Sequence, residues 1–98
     1  MGFSYTIPTA GQATTIVTGG TAVTVFAAGT IATFADIQNP STATESLFVD
    51  PTGIPAVAGA STAYELQPGQ SVRISTPVST TVSAVAATSG HKFIAVRY

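Results

Sequence analysis

The sequence predicts an all-β protein, a single-domain antiparallel β-sandwich of jelly-roll type with about eight or nine short strands. Valine, isoleucine and threonine fill 34 of the 98 positions, and these side chains favour strands over helices. Glycine, proline and asparagine interrupt the chain at short, fairly even intervals, which is typical of sandwiches and small barrels. No segment has the i, i+3, i+4, i+7 spacing of apolar residues that an amphipathic helix needs. The length fits one domain, covering residues 1–98.

In the first half of the chain, several segments have the composition of strands. They are residues 3–7, 13–18, 21–26 and 31–38. Gly19-Gly20 separates the second from the third, and this pair predicts a tight hairpin between them. In the fourth segment, Ala35 and Ile37 share one face and Phe34 lies on the other, because side chains alternate along a strand.

The second half of the chain continues the same pattern of short strands and turns. The strand candidates are residues 45–49, 62–66, 71–75, 80–87 and 92–98. Asp50-Pro51-Thr52-Gly53 predicts a β-turn, and Gln67-Pro68-Gly69-Gln70 predicts a type II turn. Between these turns, residues 53–61 form a predicted loop of small side chains. The aromatic residues that fall within strand candidates are expected in the core: Phe26, Phe34, Phe48 and Phe93.

The composition excludes several classes of partner. Charged side chains make up only 7% of the sequence, and the formal net charge is −1. Without clustered lysine and arginine, the chain lacks the basic surface that nucleic acid or anionic lipid requires. It has no cysteine, and therefore neither a disulfide framework nor a thiolate zinc site. No long apolar stretch and no signal-peptide pattern occurs in it. We therefore expect no nucleic-acid partner and no membrane partner.

His91 is the only histidine, so acid–base catalysis or a serine–histidine relay would depend on it. It follows Ser89-Gly90 at the start of the last predicted strand, where a turn-exposed or hydrogen-bonding side chain is the ordinary interpretation. The chain has no Gly-x-Ser-x-Gly elbow and no cysteine nucleophile. We therefore expect a protein that is not an enzyme, with no catalytic residue and no cofactor. A hydrolase that uses His91 is a further hypothesis, which ranks below the two given at the end of this subsection.

The acidic residues offer one further possibility for chemistry. Asp36 and Glu45 flank one predicted turn, and Asp50 could join them around a calcium ion. The sequence does not have the dense oxygen spacing of a calcium loop. The simpler interpretation is that Asp50 caps a turn, that Glu45 is a solvated strand residue, and that Arg73, Lys92 and Arg97 pair with the acids. We therefore expect no metal site.

The nearly uncharged surface predicts self-association. A free monomer with few charges and open strand edges risks edge-to-edge aggregation. The sequence therefore predicts a symmetric homo-oligomer, because partners would cover much of that surface, and it favours a trimer over other forms without fixing the oligomeric state. Residues 1–12 are expected to act as an arm, since Phe3, Tyr5 and Ile7 share one face of the first predicted strand. Tyr98 is the other residue expected to bind a partner.

Several segments resemble small virion proteins of tailed bacteriophages. The shared features are a strand that ends in a Gln-Asn pair, a short strand before a variable loop, and a Leu-x-Pro-Gly-x-Ser hairpin. In this sequence they are found at Gln38-Asn39-Pro40-Ser41, residues 46–53 and residues 64–72, and a similar closing stretch covers residues 83–98. The resemblance extends over roughly residues 31–98.

The resemblance implies a non-enzymatic structural component of a phage virion. The leading hypothesis is a capsid decoration protein, also called a cement protein, that binds the outer capsid as an oligomer and stabilises it. Its expected partners are copies of itself and the major capsid protein or another virion protein. It would be located on the capsid surface after synthesis in the host bacterial cytoplasm. The alternative is a receptor- or carbohydrate-binding module of a head spike or tail fibre, with specificity in loops 53–61 and 86–91.

Overall fold

The computed structural model describes residues 9–75 and 80–98, which form eight strands in two four-stranded sheets. The strands are β1 (Thr9–Ala10), β2 (Val23–Phe26), β3 (Phe34–Gln38), β4 (Leu47–Asp50), β5 (Tyr64–Leu66), β6 (Ser71–Ser75), β7 (Val82–Val85) and β8 (Ile94–Arg97). The described residues contain no helix, and hence none long and apolar enough to cross a membrane.

The strand order is that of a jelly roll. The first sheet has the order β1-β8-β3-β6 and the second has the order β2-β7-β4-β5. All paired strands are antiparallel. Two sheets of four antiparallel strands, joined by Greek-key connections, define this architecture. The predicted all-β class and jelly-roll-like sandwich are confirmed.

The core lies between the two sheets and follows the alternation of side chains along each strand. In β3, Ala35 and Ile37 are fully buried, whereas Phe34 faces outward and is half-buried. The same inward set continues in the other strands as Val25, Phe26, Leu47, Val49, Leu66, Ile74, Val82, Ala84 and Ala95. Phe26 and Phe93 are core residues as predicted, but Phe34 and Phe48 are only half-buried. Phe34 occupies the outward phase of its strand, which explains why that part of the prediction is wrong.

The predicted hairpin at Gly19-Gly20 is wrong. Residues 13–18 do not form a named strand, and β2 pairs with β7 instead. The amide of Ile16 donates to the carbonyl of His91, and the amide of Phe93 donates to the carbonyl of Thr14, so residues 14–16 lie along the β7–β8 connection. Position 19 requires glycine because the backbone of Ala87 lies close to it. An added Cβ would lie 2.1 Å from the carbonyl oxygen of Ala87.

Two sets of connections lie at opposite ends of β4. The β3–β4 connection enters β4 at one end, where it meets the β7–β8 connection. The β4–β5 connection, residues 51–63, leaves from the other end. The fold therefore separates two loop regions, and each is fixed by a different buried polar side chain.

Candidate functional site

His91 lies in the β7–β8 connection with only 5% of its side chain exposed. Its Nε2 lies 2.8 Å from Oδ1 of Asn39, and its Nδ1 lies 3.1 Å from Oε2 of Glu45. Asn39 directly follows β3, and Glu45 lies two residues before β4. The imidazole therefore ties together two connections that are remote in sequence. We call these three side chains the His91 clasp.

The hydrogen bonds of Asn39 fix the orientation of its amide and the role of Nε2 of His91. Asn39 is fully buried, and its Nδ2 donates to the backbone carbonyls of Glu45 at 2.8 Å and Leu66 at 2.9 Å. This fixes the amide orientation, so Oδ1 accepts and Nε2 of His91 must carry a proton. Nδ1 of His91 faces a carboxylate, which also only accepts. The imidazole thus contacts an acceptor at each ring nitrogen, Oδ1 of Asn39 at Nε2 and the Glu45 carboxylate at Nδ1.

Glu45 is held in one orientation by Thr88. The Thr88 hydroxyl donates to Oε1 and the Thr88 amide donates to Oε2 at 3.0 Å. The hydroxyl bond is the largest cause that lowers the pKa of Glu45 below its ordinary value, and it outweighs the opposing effect of partial burial. The side chain is 24% exposed, so a charged, oriented carboxylate meets solvent. The interpretation of Glu45 as a simple solvated strand residue is therefore wrong.

A groove of about 330 Å³ opens beside the clasp. Its walls are residues of the two connections: Pro40, Thr42, Ala43, Thr44 and Glu45 on one side and Thr88, Ser89, Gly90, His91 and Lys92 on the other. Lys92 is exposed and has no ion pair within residues 9–75 and 80–98. The groove thus presents a fixed carboxylate, a cation and several hydroxyl groups.

Both ring nitrogens of His91 are engaged by side chains of the protein. One ring nitrogen is occupied by Asn39 and the other by Glu45. General acid–base catalysis requires a group within hydrogen-bond reach of the reacting atom. In this arrangement the imidazole positions Glu45 and joins the two connections.

Asp50 is the second buried polar centre, at the opposite end of β4. Its Oδ1 accepts from the amide of Thr52 at 2.9 Å and from the Thr52 hydroxyl, and its Oδ2 accepts from the Thr62 hydroxyl at 2.6 Å. Burial alone would raise the pKa of Asp50, but these hydrogen bonds bring it below its ordinary value. Asp50 caps the turn, as the sequence predicts, and also fixes both ends of the β4–β5 connection.

The outer face of the first sheet carries a continuous set of contacts. Asp36 accepts two hydrogen bonds from Arg73, at 2.8 and 3.0 Å. The Arg73 guanidinium lies 4.2 Å from the centre of the Phe34 ring, and this ring lies 4.4 Å from that of Tyr98. Arg73 pairs with an acid as predicted, whereas Phe34 in this cluster was expected in the core. The sequence signal for the cluster is the outward phase that Phe34 shares with Asp36.

Beside that cluster, β8 is apolar on its outward side at Ile94 and Val96, while the inward Ala95 is buried. Ile94 is 49% exposed, and Val96 and Tyr98 are half-buried on the same side of the strand. We define the outer apolar stripe as Phe34, Ile94, Val96 and Tyr98. The structure thus places Tyr98, one of the predicted partner-binding residues, on an open face.

The other predicted partner-binding residues, Phe3, Tyr5 and Ile7, lie outside the described residues. Residues 9–12 of the expected arm lie in the sandwich, because β1 pairs with β8 and the amide of Gln12 donates to the carbonyl of Val25. The acidic residues 36, 45 and 50 engage different partners. Within residues 9–75 and 80–98, no cluster of three or more metal-ligating side chains occurs.

Comparison with known proteins found no matching family model, no matching curated protein and no matching solved structure.

Proposed function

We propose that this protein is a non-enzymatic structural component of a tailed-phage virion. In this proposal it binds the outer capsid as a homo-oligomer and stabilises it. The observation that carries the proposal is an apolar stripe that is partly open, with Ile94 exposed, on a sandwich with very few charges. Contiguous exposed apolar surface marks protein interaction sites on soluble domains.

The architecture and the sequence resemblance support this proposal together. Jelly rolls occur in viral capsid and lectin domains, although a fold alone does not determine function. The segments that resemble phage virion proteins include the β5–β6 hairpin and most of β7 and β8. These strands contribute to both sheets, so the resemblance concerns the body of the domain as well as its loops.

Binding in this role is adhesive. Each copy contributes weak apolar and hydroxyl contacts, and the repeated capsid surface multiplies them through avidity. The protein would be present on the capsid surface after synthesis in the bacterial cytoplasm. Its immediate partners would be further copies of itself and the major capsid protein or another virion protein.

The proposal is tested by locating the protein on particles. Phage is grown from a genome that encodes the chain, purified, and labelled with gold-conjugated antibody raised against the purified protein. Regular labelling of heads supports capsid decoration. Labelling of tails only, or no labelling of particles that were assembled normally, contradicts it.

The groove beside the His91 clasp favours a second candidate, a carbohydrate-binding module on a spike or fibre. Its lining combines an oriented acceptor on Glu45, the Lys92 ammonium and threonine hydroxyls, and such groups bind the hydroxyls of a sugar. The predicted loop 86–91 provides one wall of the groove. The corresponding test is a glycan array with the purified protein and with the Lys92→Ala variant. Binding that Lys92→Ala removes supports this candidate, and an array without binding contradicts it.

A further inference from the structure

We infer that residues 1–8 of one copy dock on the outer apolar stripe of a second copy. This inference deepens the proposed function and rests on its homo-oligomer. The receiving surface of the second copy consists of Phe34 in β3, Ile94 and Val96 in β8, and Tyr98, which follows β8.

The stripe has the composition of a covered surface. A solvated antiparallel sheet alternates apolar residues toward the core with polar residues outward. In β8 the inward Ala95 is buried, yet the outward Ile94 and Val96 are also apolar, so the strand resembles one buried on both faces. Ile94 is 49% exposed, which leaves part of this face open in the single chain.

Side chains in and beside the stripe are held by contacts with one another. Asp36 holds the Arg73 guanidinium with two hydrogen bonds, and that guanidinium stacks on Phe34. Tyr98 packs against the same ring. Tyrosine and arginine are enriched among residues that dominate binding energy, and a preorganised surface loses little side-chain entropy when a partner docks.

The segment that precedes β1 is a matched occupant. Residues 1–8 have no charge and carry Phe3, Tyr5 and Ile7 at alternate positions. An extended segment of eight residues spans about 27 Å, whereas four strands in a sheet are about 14 Å wide. The segment is therefore long enough to cross the stripe and apolar enough to cover it.

β1 begins at the end of β8 that carries Tyr98. It runs antiparallel to β8, with Thr9 opposite Arg97. Tyr98 belongs to the outer apolar stripe, so residues 1–8 are joined to the sandwich next to one end of such a stripe. The homo-oligomer of the proposed function supplies the second copy that receives them.

Light scattering of the full chain across a dilution series tests the surface. We expect the parent protein to have a mass at least twice the 9.8 kDa of one chain. Deletion of residues 2–8 should lower the measured mass to that of one chain. The double substitution Ile94→Ser and Val96→Ser should have the same effect. Val17→Ser is the matched control, because Val17 is 74% exposed and lies outside the stripe. A monomeric parent protein, or variants that keep the oligomeric mass, overturns the inference.

Disulfide trapping tests the occupant and does not depend on how well the double variant folds. Because the chain has no cysteine, single substitutions give unambiguous products. A Tyr5→Cys protein is mixed with a size-tagged Ile94→Cys protein and oxidised, and Val17→Cys replaces Ile94→Cys in the control. We expect a mixed disulfide with Ile94→Cys in at least fivefold excess over the control. Equal yields overturn the inference, as does an intramolecular bond formed in the double variant without any mixed product.

The outcomes separate this inference from the proposed function. Gold labelling of phage heads without the mixed disulfide would leave capsid decoration standing and reject this contact. A mixed disulfide without labelled particles would establish the contact and reject capsid decoration.

Discussion

At the scale of single residues, Asp50 shows how a buried charge is stabilised in a small sandwich. Its carboxylate is fully buried but accepts hydrogen bonds from the Thr52 amide and from two threonine hydroxyls. Each of these bonds joins β4 to residues of the β4–β5 connection, so one side chain fixes both ends of that loop. A charged group that lost these partners would remain buried and unpaired, which is costly.

Replacing Asp50 should therefore destabilise the protein more than replacing an exposed acid. Asp50→Ala leaves the hydroxyls of Thr52 and Thr62 without their acceptor, and we expect a loss of about 1–3 kcal/mol in the free energy of unfolding. Asp36→Ala is the control, because its ion pair with Arg73 is partly exposed and exposed pairs contribute about 0.2–1 kcal/mol. Urea denaturation followed by circular dichroism measures both. Equal losses would show that the Asp50 bonds do not stabilise the fold.

At the scale of the element, the His91 clasp joins the β3–β4 connection to the β7–β8 connection. The imidazole lies between Asn39 and Glu45, while the Asn39 amide also reaches the carbonyl of Leu66 in β5. Loops of this length are usually among the least stable parts of a domain. Here, they share a buried hydrogen-bond network, and we expect them to open as one unit.

His91→Ala tests that cooperative behaviour. The substitution leaves Oδ1 of Asn39 buried without a donor, and we expect a loss of about 1–3 kcal/mol in stability. Hydrogen exchange of the Thr88 and Gly90 amides should accelerate together, since both lie on the released connection. Lys92→Ala is the control and should leave both exchange rates unchanged. If exchange accelerates equally throughout the sandwich, the clasp contributes only to global stability.

At the scale of the whole molecule, two carboxylates make the folded protein less stable as the pH falls. The pKa values of Glu45 and Asp50 both lie below their ordinary values of 4.5 and 3.8. The folded protein therefore binds protons less readily than the unfolded chain. The stabilisation that the two carboxylates provide is fully present above about pH 4.5. It is lost as the pH falls through their lowered pKa values in the folded protein.

We accordingly expect the urea midpoint to fall as the pH is lowered from 5 to 2 at constant ionic strength. The Asp50→Asn variant should begin less stable at pH 5 and show a shallower decline, because one of the responsible groups no longer titrates. Glu45→Gln should have the same kind of effect. Parallel curves for the parent protein and both variants would contradict this assignment.

The sequence predicted strands most accurately where turn residues lie close to the ends of the strand. β6 coincides with the predicted segment 71–75, because Pro68-Gly69 fixes its start. Segment 13–18 is rich in β-branched residues, as strands are, but it hydrogen-bonds to the β7–β8 connection far along the chain. Its local composition therefore could not distinguish it from a strand. The pairing of Glu45 with His91 spans 46 residues and is equally invisible to local patterns. Tertiary hydrogen bonds decided both cases.

The central position of β8 also constrains how the protein is made. β8 is an inner strand of the first sheet and pairs with β1 on one side and with β3 on the other. During translation β8 emerges from the ribosome after the other seven described strands, and until then β1 and β3 have no neighbour in common. Folding of this sheet must therefore follow synthesis of β8, and non-local pairing of this kind is slow. A chain that stopped before β8 would leave β1 without its partner strand and would fail to close the sandwich.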